Sequence, residues 1–174
     1  RWQILASQLQ AENESLRALL SVPAQRDKSF ISAKILHRLA GPFSHSYFLS
    51  AGSDEGVVSG MAAMNGDGLV GRVVEPTGSQ SRLMLLTDIN SRIAVVSETG
   101  SEHAIATGRN KELLTLRYFR KDAAFTVGEK IYTSGDNNLL PTRIPVGVVE
   151  SVIAGEVLVR PIVKWNQLDY VTLR

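Results

Sequence analysis

Beyond Phe30 the chain shows almost no helical period. It is a succession of short β-type segments, each ended by Gly, Pro, Asn, Asp or Ser. β-Branched and aromatic residues suit a pleated, half-buried surface, and the punctuating residues each favour a turn. The segments are Ile31–Leu39, Ser46–Ala51, Met61–Met64, Leu69–Glu75, Arg82–Thr87, Arg92–Ser97, Ala104–Thr107, Leu113–Phe119, Lys130–Thr133, Val146–Ile153, Val157–Pro161 and Tyr170–Leu173. Short strands at such regular spacing fold as barrels or sandwiches. Two barrels of about six strands each use all of them. Leu114, Leu116 and Tyr118 alternate with Thr115 and Arg117, which predicts one dry and one wet face. Asp88 to Ser91 is expected to close Arg82–Thr87 onto Arg92–Ser97. We expect barrel-like subdomains at 30–108 and 109–174, and the chain can cross between them more than once.

Gly66, Gly68 and Gly71 spell G-x-G-x-x-G. That fingerprint binds a dinucleotide only where a strand precedes the glycines and a helix begins among them. Here Arg72, Val73, Val74, Glu75 and Pro76 follow. Adjacent β-branched residues and a proline do not start a helix. The stretch predicts a hairpin instead: Met61 to Met64, a turn at Asn65 to Gly68, and a return over Leu69 to Glu75. Gly66 and Gly68 are expected to supply the turn's backbone angles. Gly71, inside a strand, predicts a bulge or the close approach of other backbone.

Ahead of the β region, residues 1–22 read as a helix and 23–29 as a polar linker. Trp2, Leu5, Leu9, Leu16 and Leu19 recur at spacings that alternate between three and four, and Glu12 interrupts the stripe. This is the seam of a coiled coil. Pro23 pushes Val22 out of helical geometry, so the helix ends near Ser21. The helix either packs on its own domain or pairs with a second copy. A narrow stripe on an otherwise polar helix favours pairing, through Leu5, Leu9, Leu16 and Leu19.

Composition limits the chemistry. The net charge is +2, with no basic run and no interleaving of aromatic and basic residues, so there is no electrostatic footprint for nucleic acid. The absence of cysteine excludes disulfides, thiolate metal sites and cysteine nucleophiles. No apolar run approaches the roughly 18 residues of a membrane span. The chain begins inside a helical pattern, which leads us to expect an anchor ahead of it. His37, His45 and His103 are scattered without metal-ligand spacing, and the carboxylates are dispersed.

Thr133-Ser134-Gly135-Asp136 has the look of a nucleophile turn in a trypsin-like peptidase, and His37 or His45 with Asp88 precede it in the right order. Ser134 nevertheless precedes Gly-Asp, whereas such enzymes place the serine after it. Ser134 to Pro145 is the longest irregular stretch, and long ordered loops often carry function. Read from the residues, the chain is a coiled-coil-tethered, all-β interaction protein. A serine hydrolase on the same barrels is the alternative. A periplasmic adaptor of an export pump is another coiled-coil-and-barrel design, but it needs two antiparallel helices where one is visible.

Segments spread along the chain in one order carry a family resemblance. They are Glu12-Asn13-Glu14-Ser15-Leu16-Arg17-Ala18-Leu19-Leu20, Gly68-Leu69-Val70-Gly71-Arg72-Val73-Val74-Glu75, Ser81-Arg82-Leu83-Met84-Leu85-Leu86-Thr87-Asp88, the 128–135 segment GEKIYTSG, and Pro145-Val146-Gly147-Val148-Val149. Together they resemble MreC, the bacterial rod-shape-determining family. The resemblance implies a mainly β fold: a periplasmic coiled coil followed by two six-stranded barrel-like subdomains similar to the trypsin-like fold, without protease activity and without a cofactor. It implies an anchor in the inner membrane ahead of the helix. It also implies a scaffold of the wall-elongation machinery that associates with itself, with MreD, MreB and RodA, and with a class B penicillin-binding transpeptidase that it switches on. The sequence departs from the family pattern at Glu129, where Asp is usual, at Asn137 and Asn138 in a glycine-rich turn, and at Arg143, where glycine often precedes the Ile-Pro pair.

Overall fold

A computed structural model describes residues 2–19, 30–40, 45–135 and 140–174, with backbone alone for 14–19 and 40. The linker expected at 23–29 and the helix end expected near Ser21 lie outside the described residues, as do Asn137 and Asn138. α1 (Trp2–Leu19) is followed by twelve described strands, and each expected β segment holds one of them.

The first barrel closes in the order β1-β12-β3-β4-β5-β2. Its strands are β1 (Ile31–Ala40), β2 (His45–Leu49), β3 (Ala62–Met64), β4 (Leu69–Pro76), β5 (Ser81–Leu85) and β12 (Tyr170–Leu173). The second closes in the order β10-β11-β8-β7-β6-β9. It comprises β6 (Arg92–Ser97), β7 (His103–Thr107), β8 (Leu114–Arg117), β9 (Lys130–Thr133), β10 (Pro145–Ile153) and β11 (Glu156–Pro161). All pairings are antiparallel. Closure leaves no sheet edge to attract another chain along the paired lengths. Alternation sets the inward face: in β5, Ser81, Leu83 and Leu85 are buried while Arg82 and Met84 are not.

The topology corrects the subdomain boundary. β6 and β7 belong to the second barrel, so the first does not run from 30 to 108; it takes 31–85 and then β12. Asp88 to Ser91 does not close a hairpin, because β5 pairs with β2 and β4 while β6 pairs with β7 and β9. This turn is the crossing between barrels. Asp88 is buried and its carboxylate accepts the backbone N–H groups of His45 at 2.9 Å and Asn90 at 2.8 Å. β8 is also shorter than expected. Thr115 is buried, and Tyr118 turns out at φ +61° with its ring exposed.

The β3–β4 hairpin joins the two cores. Ala63 and Val70 point into the first barrel, whereas Ala62 and Leu69 pack with the core of the second, and all four have 0% exposure. The glycines divide their tasks accordingly. A Cβ on Gly71 would lie 2.1 Å from the Met84 carbonyl oxygen, and the register shifts between Ala63 and Met64 beside it. The expected close approach and the expected bulge are both present. Gly66 and Gly68, however, do not adopt positive φ. The turn is held by Asn65, whose Oδ1 accepts from the N–H of Asp67 at 3.0 Å and of Gly68 at 3.1 Å. Gly68 instead lets the second barrel in: a Cβ there would meet the Pro145 carbonyl at 2.3 Å.

Candidate binding groove between the barrels

After β11 the chain returns to the first barrel through a 3-10 turn at Trp165–Gln167. Arg38 on β1 fixes that return. Its guanidinium donates to the carbonyls of Trp165, at 3.2 Å, and of Leu168, and to the Asp169 carboxylate at 3.2 Å. It also sits 5.2 Å from the centre of the Tyr47 ring. Trp165 meets Tyr47 edge to face, with centroids 6.4 Å apart and planes at 85°. These contacts hold the half-buried indole at the junction of the two barrels.

Two hollows meet at Trp165. One, of about 330 Å³, is lined by His45, Tyr47, Leu85, Thr87, Asn110, Lys111, Glu112 and Trp165. The other, of about 510 Å³, is lined by Glu112, Trp165 and the return segment 160–166. His45 Nδ1 and Thr87 Oγ1 share a hydrogen bond of 2.7 Å on the wall of the first. Asn110 has φ +54° and its Oδ1 accepts the Ile89 N–H at 2.8 Å, which aims the 110–112 turn at the groove. Arg160, which also lines the second hollow, is engaged by Glu150 at 2.8 Å. Aromatic and apolar walls with a few polar groups at the rim, at a junction of domains, are the ordinary make-up of a ligand site.

The triad considered for serine chemistry is not brought together as such. The Nδ1 partner of His45 is Thr87, not Asp88, and both Asp88 oxygens hold backbone N–H groups. His37 is exposed, its ring edge on Phe48 at 6.4 Å. Ser134 follows β9, its N–H donated to the Ala94 carbonyl at 3.0 Å. Among the described residues no group of three or more His, Cys, Asp or Glu could hold a metal. In the Ser134–Pro145 stretch, Thr133 Oγ1 donates to the Pro141 carbonyl at 2.7 Å and accepts the Ile144 N–H at 3.0 Å, a structural tie.

On α1, Trp2, Leu5 and Leu9 are 86%, 51% and 58% exposed, an uncovered stripe. The side chains of Leu16 and Leu19 lie outside those described. The groove residues Arg38, Tyr47, Lys111, Glu112 and Trp165 were not singled out from sequence. Only Trp165, an aromatic set in the polar run Lys164-Trp165-Asn166, carried a local signal.

Fold and groove together define a mainly β protein, its described residues forming two closed barrels behind one α-helix. The chain belongs to the MreC family: the model for the rod shape-determining protein MreC, barrel core, matches residues 35–174. It is 32% identical over 173 residues to the cell shape-determining protein MreC of Caulobacter vibrioides, covering 99% of this chain and 50% of that one. The crystal structure of MreC from Pseudomonas aeruginosa superposes with a TM-score of 0.78 at 30% identity, covering 84% of this chain and 99% of that one. A complex between penicillin-binding protein PBP2 and MreC from Helicobacter pylori shares the fold, with a TM-score of 0.67 at 14% identity over 83% of this chain and 96% of that one. The chain spans about half the length of the curated relatives it matches.

Proposed function

We propose that this chain is the barrel-bearing part of a non-enzymatic scaffold for cell-wall elongation. On this reading it lies in the periplasm, tied to the inner membrane by a helix outside this sequence. It associates with itself through Leu5, Leu9, Leu16 and Leu19, and it organises and activates peptidoglycan synthases. The carrying observation is the family match over 35–174, whose relatives bear the name cell shape-determining protein. The Helicobacter pylori complex supports a class B penicillin-binding transpeptidase as a partner. MreD, MreB and RodA are proposed as the further partners. The uncovered stripe of Trp2, Leu5 and Leu9 supports self-association, since apolar side chains at heptad spacing gain by burial against a second helix.

A scaffold acts on a synthase only by binding one of its conformations better than the other. The test is capture of the ectodomain of a class B transpeptidase by this chain, scanned with surface charge reversals. Saturable capture, abolished by reversals clustered on one face and unaltered by Ser134→Ala, is expected. No capture at any concentration up to about 100 μM, near the weak end for specific contacts, sinks the partner reading. Self-association is tested separately by sedimentation: Leu5→Asp with Leu9→Asp is expected to convert dimer to monomer.

A further inference from the structure

We propose that the groove between the barrels binds a short carbohydrate chain that carries carboxylates. The groove has a fixed platform and an unengaged rim. Arg38, Tyr47, His45, Thr87 and Arg160 are all held by internal contacts. By contrast, the side chains of Lys111, Glu112, Lys164 and Asn166 make no hydrogen bond or ion pair among the described residues. The Trp165 indole N–H likewise has no acceptor among the described residues.

This donor set matches a sugar. A pyranose offers an apolar C–H face to an aromatic surface and a rim of hydroxyls that both donate and accept. Glu112 accepts, the lysines and the indole N–H donate, and Asn166 does both. Two hollows that share one tryptophan suit successive sugars rather than a single ring. Lys111 and Lys164 outnumber Glu112 at the rim, which favours an anionic ligand, and a carboxylate fits them by charge-assisted bonds. An extended peptide fits less well, because it binds by adding a strand to an open edge. β2, which lines the groove at Tyr47, has none there: Tyr47 pairs with Arg38 of β1 and with Leu83 of β5.

The sequence has two tryptophans, so Trp2→Phe leaves Trp165 as the sole reporter. The chain carrying this change is titrated with a hyaluronan hexasaccharide, which has a carboxylate on every second sugar, with neutral chitohexaose, and with a glutamate-rich hexapeptide. Saturation-transfer NMR on the same ligands covers binding that leaves emission unchanged. Hyaluronan is expected to bind with a Kd of about 0.1–1 mM, and chitohexaose about tenfold more weakly. Lys111→Gln with Lys164→Gln, at exposed positions and checked for folding by circular dichroism, is expected to erase that difference. Absence of saturable binding by either saccharide overturns the proposal, as does binding of the peptide alone. Equal affinity for the two saccharides overturns its carboxylate part. Transpeptidase capture, measured on the same preparation, stands or falls on its own.

Discussion

At Gly71 and Gly66 the same residue type answers different demands. The space around Gly71 is closed by backbone, with the Met84 carbonyl 2.1 Å from where a Cβ would stand, whereas nothing lies within 4 Å of one on Gly66. Gly71→Ala is therefore expected to lower stability by about 2–4 kcal/mol, since strand backbone must move to admit a methyl. Gly66→Ala should stay within about 0.5 kcal/mol, as surface changes do. Denaturant melts of the two variants decide this, and equal losses would defeat the packing account. Arg143 is the reverse case, a bulky residue at φ +63°, a conformation that favours glycine. Its guanidinium lies 4.4 Å from the centre of the Tyr132 ring. Arg143→Gly removes a left-handed penalty of about 1–2 kcal/mol and forfeits a cation–π contact of about 0.5–1 kcal/mol. The expected result is a stability unchanged or raised by up to about 1.5 kcal/mol, with Arg143→Ala below native because it keeps the strain. The Gly71 contact was legible because a glycine within a valine-rich strand has few other reasons to be there. The contact of Gly68 with Pro145 was not, since nothing near Gly68 encodes a residue of the other barrel.

At the scale of elements, the strands were legible because in-and-out alternation is a local property of the chain. The turn at Asp88 was not, because a hairpin turn and a crossing use the same residues. What separates them is the partner of the Asp88 carboxylate, the His45 N–H, far away in sequence. β4 and β5 carry a cross-strand pair that tests their register: Glu75 faces Arg82, with Oε1 accepting from Nη2 at 2.8 Å. The hydrogen bond and then the charge of Arg82 hold the Glu75 carboxyl below its ordinary value of 4.5. A carboxyl lowered in the folded state stabilises above its unfolded pKa and loses that contribution as pH falls through the folded value. Glu75 is exposed, so the effect is small. The native chain should thus melt slightly above Glu75→Gln at neutral pH. The gap should begin to close below about pH 4.5 and be gone at the acid limit, once pH lies below the lowered folded value. A gap that persists undiminished at that acid limit would remove the ion pair as its cause.

The whole molecule is a discontinuous barrel wrapped around a continuous one, because β12 closes the first barrel only after the chain has completed the second. No local pattern announces that β1 will take Tyr170–Leu173 as its neighbour, and so the boundary drawn from sequence fell in the wrong place. The groove shares that origin: Arg38 and Trp165 are 127 residues apart and meet only because the last segment returns. Deleting residues 170–174 therefore tests the architecture. It removes buried Val171 and Leu173, each contributing about 1.5–3 kcal/mol, and it opens the edges of β1 and β3. The first barrel is expected to unfold at markedly lower temperature. The second keeps all six of its strands, but Ala62, Leu69 and Leu86 pack on its core from the first-barrel side. Its melting should consequently fall as well, in a separate and higher transition. Hydrogen exchange should show protection lost at Leu83 and Leu85 first and retained at Ile93, Val95 and Ile131. A peptide spanning 168–174 added in trans should restore the first barrel's protection. A single transition, unmoved by the deletion, would mean that β12 is an accessory strand and that the first barrel closes without it.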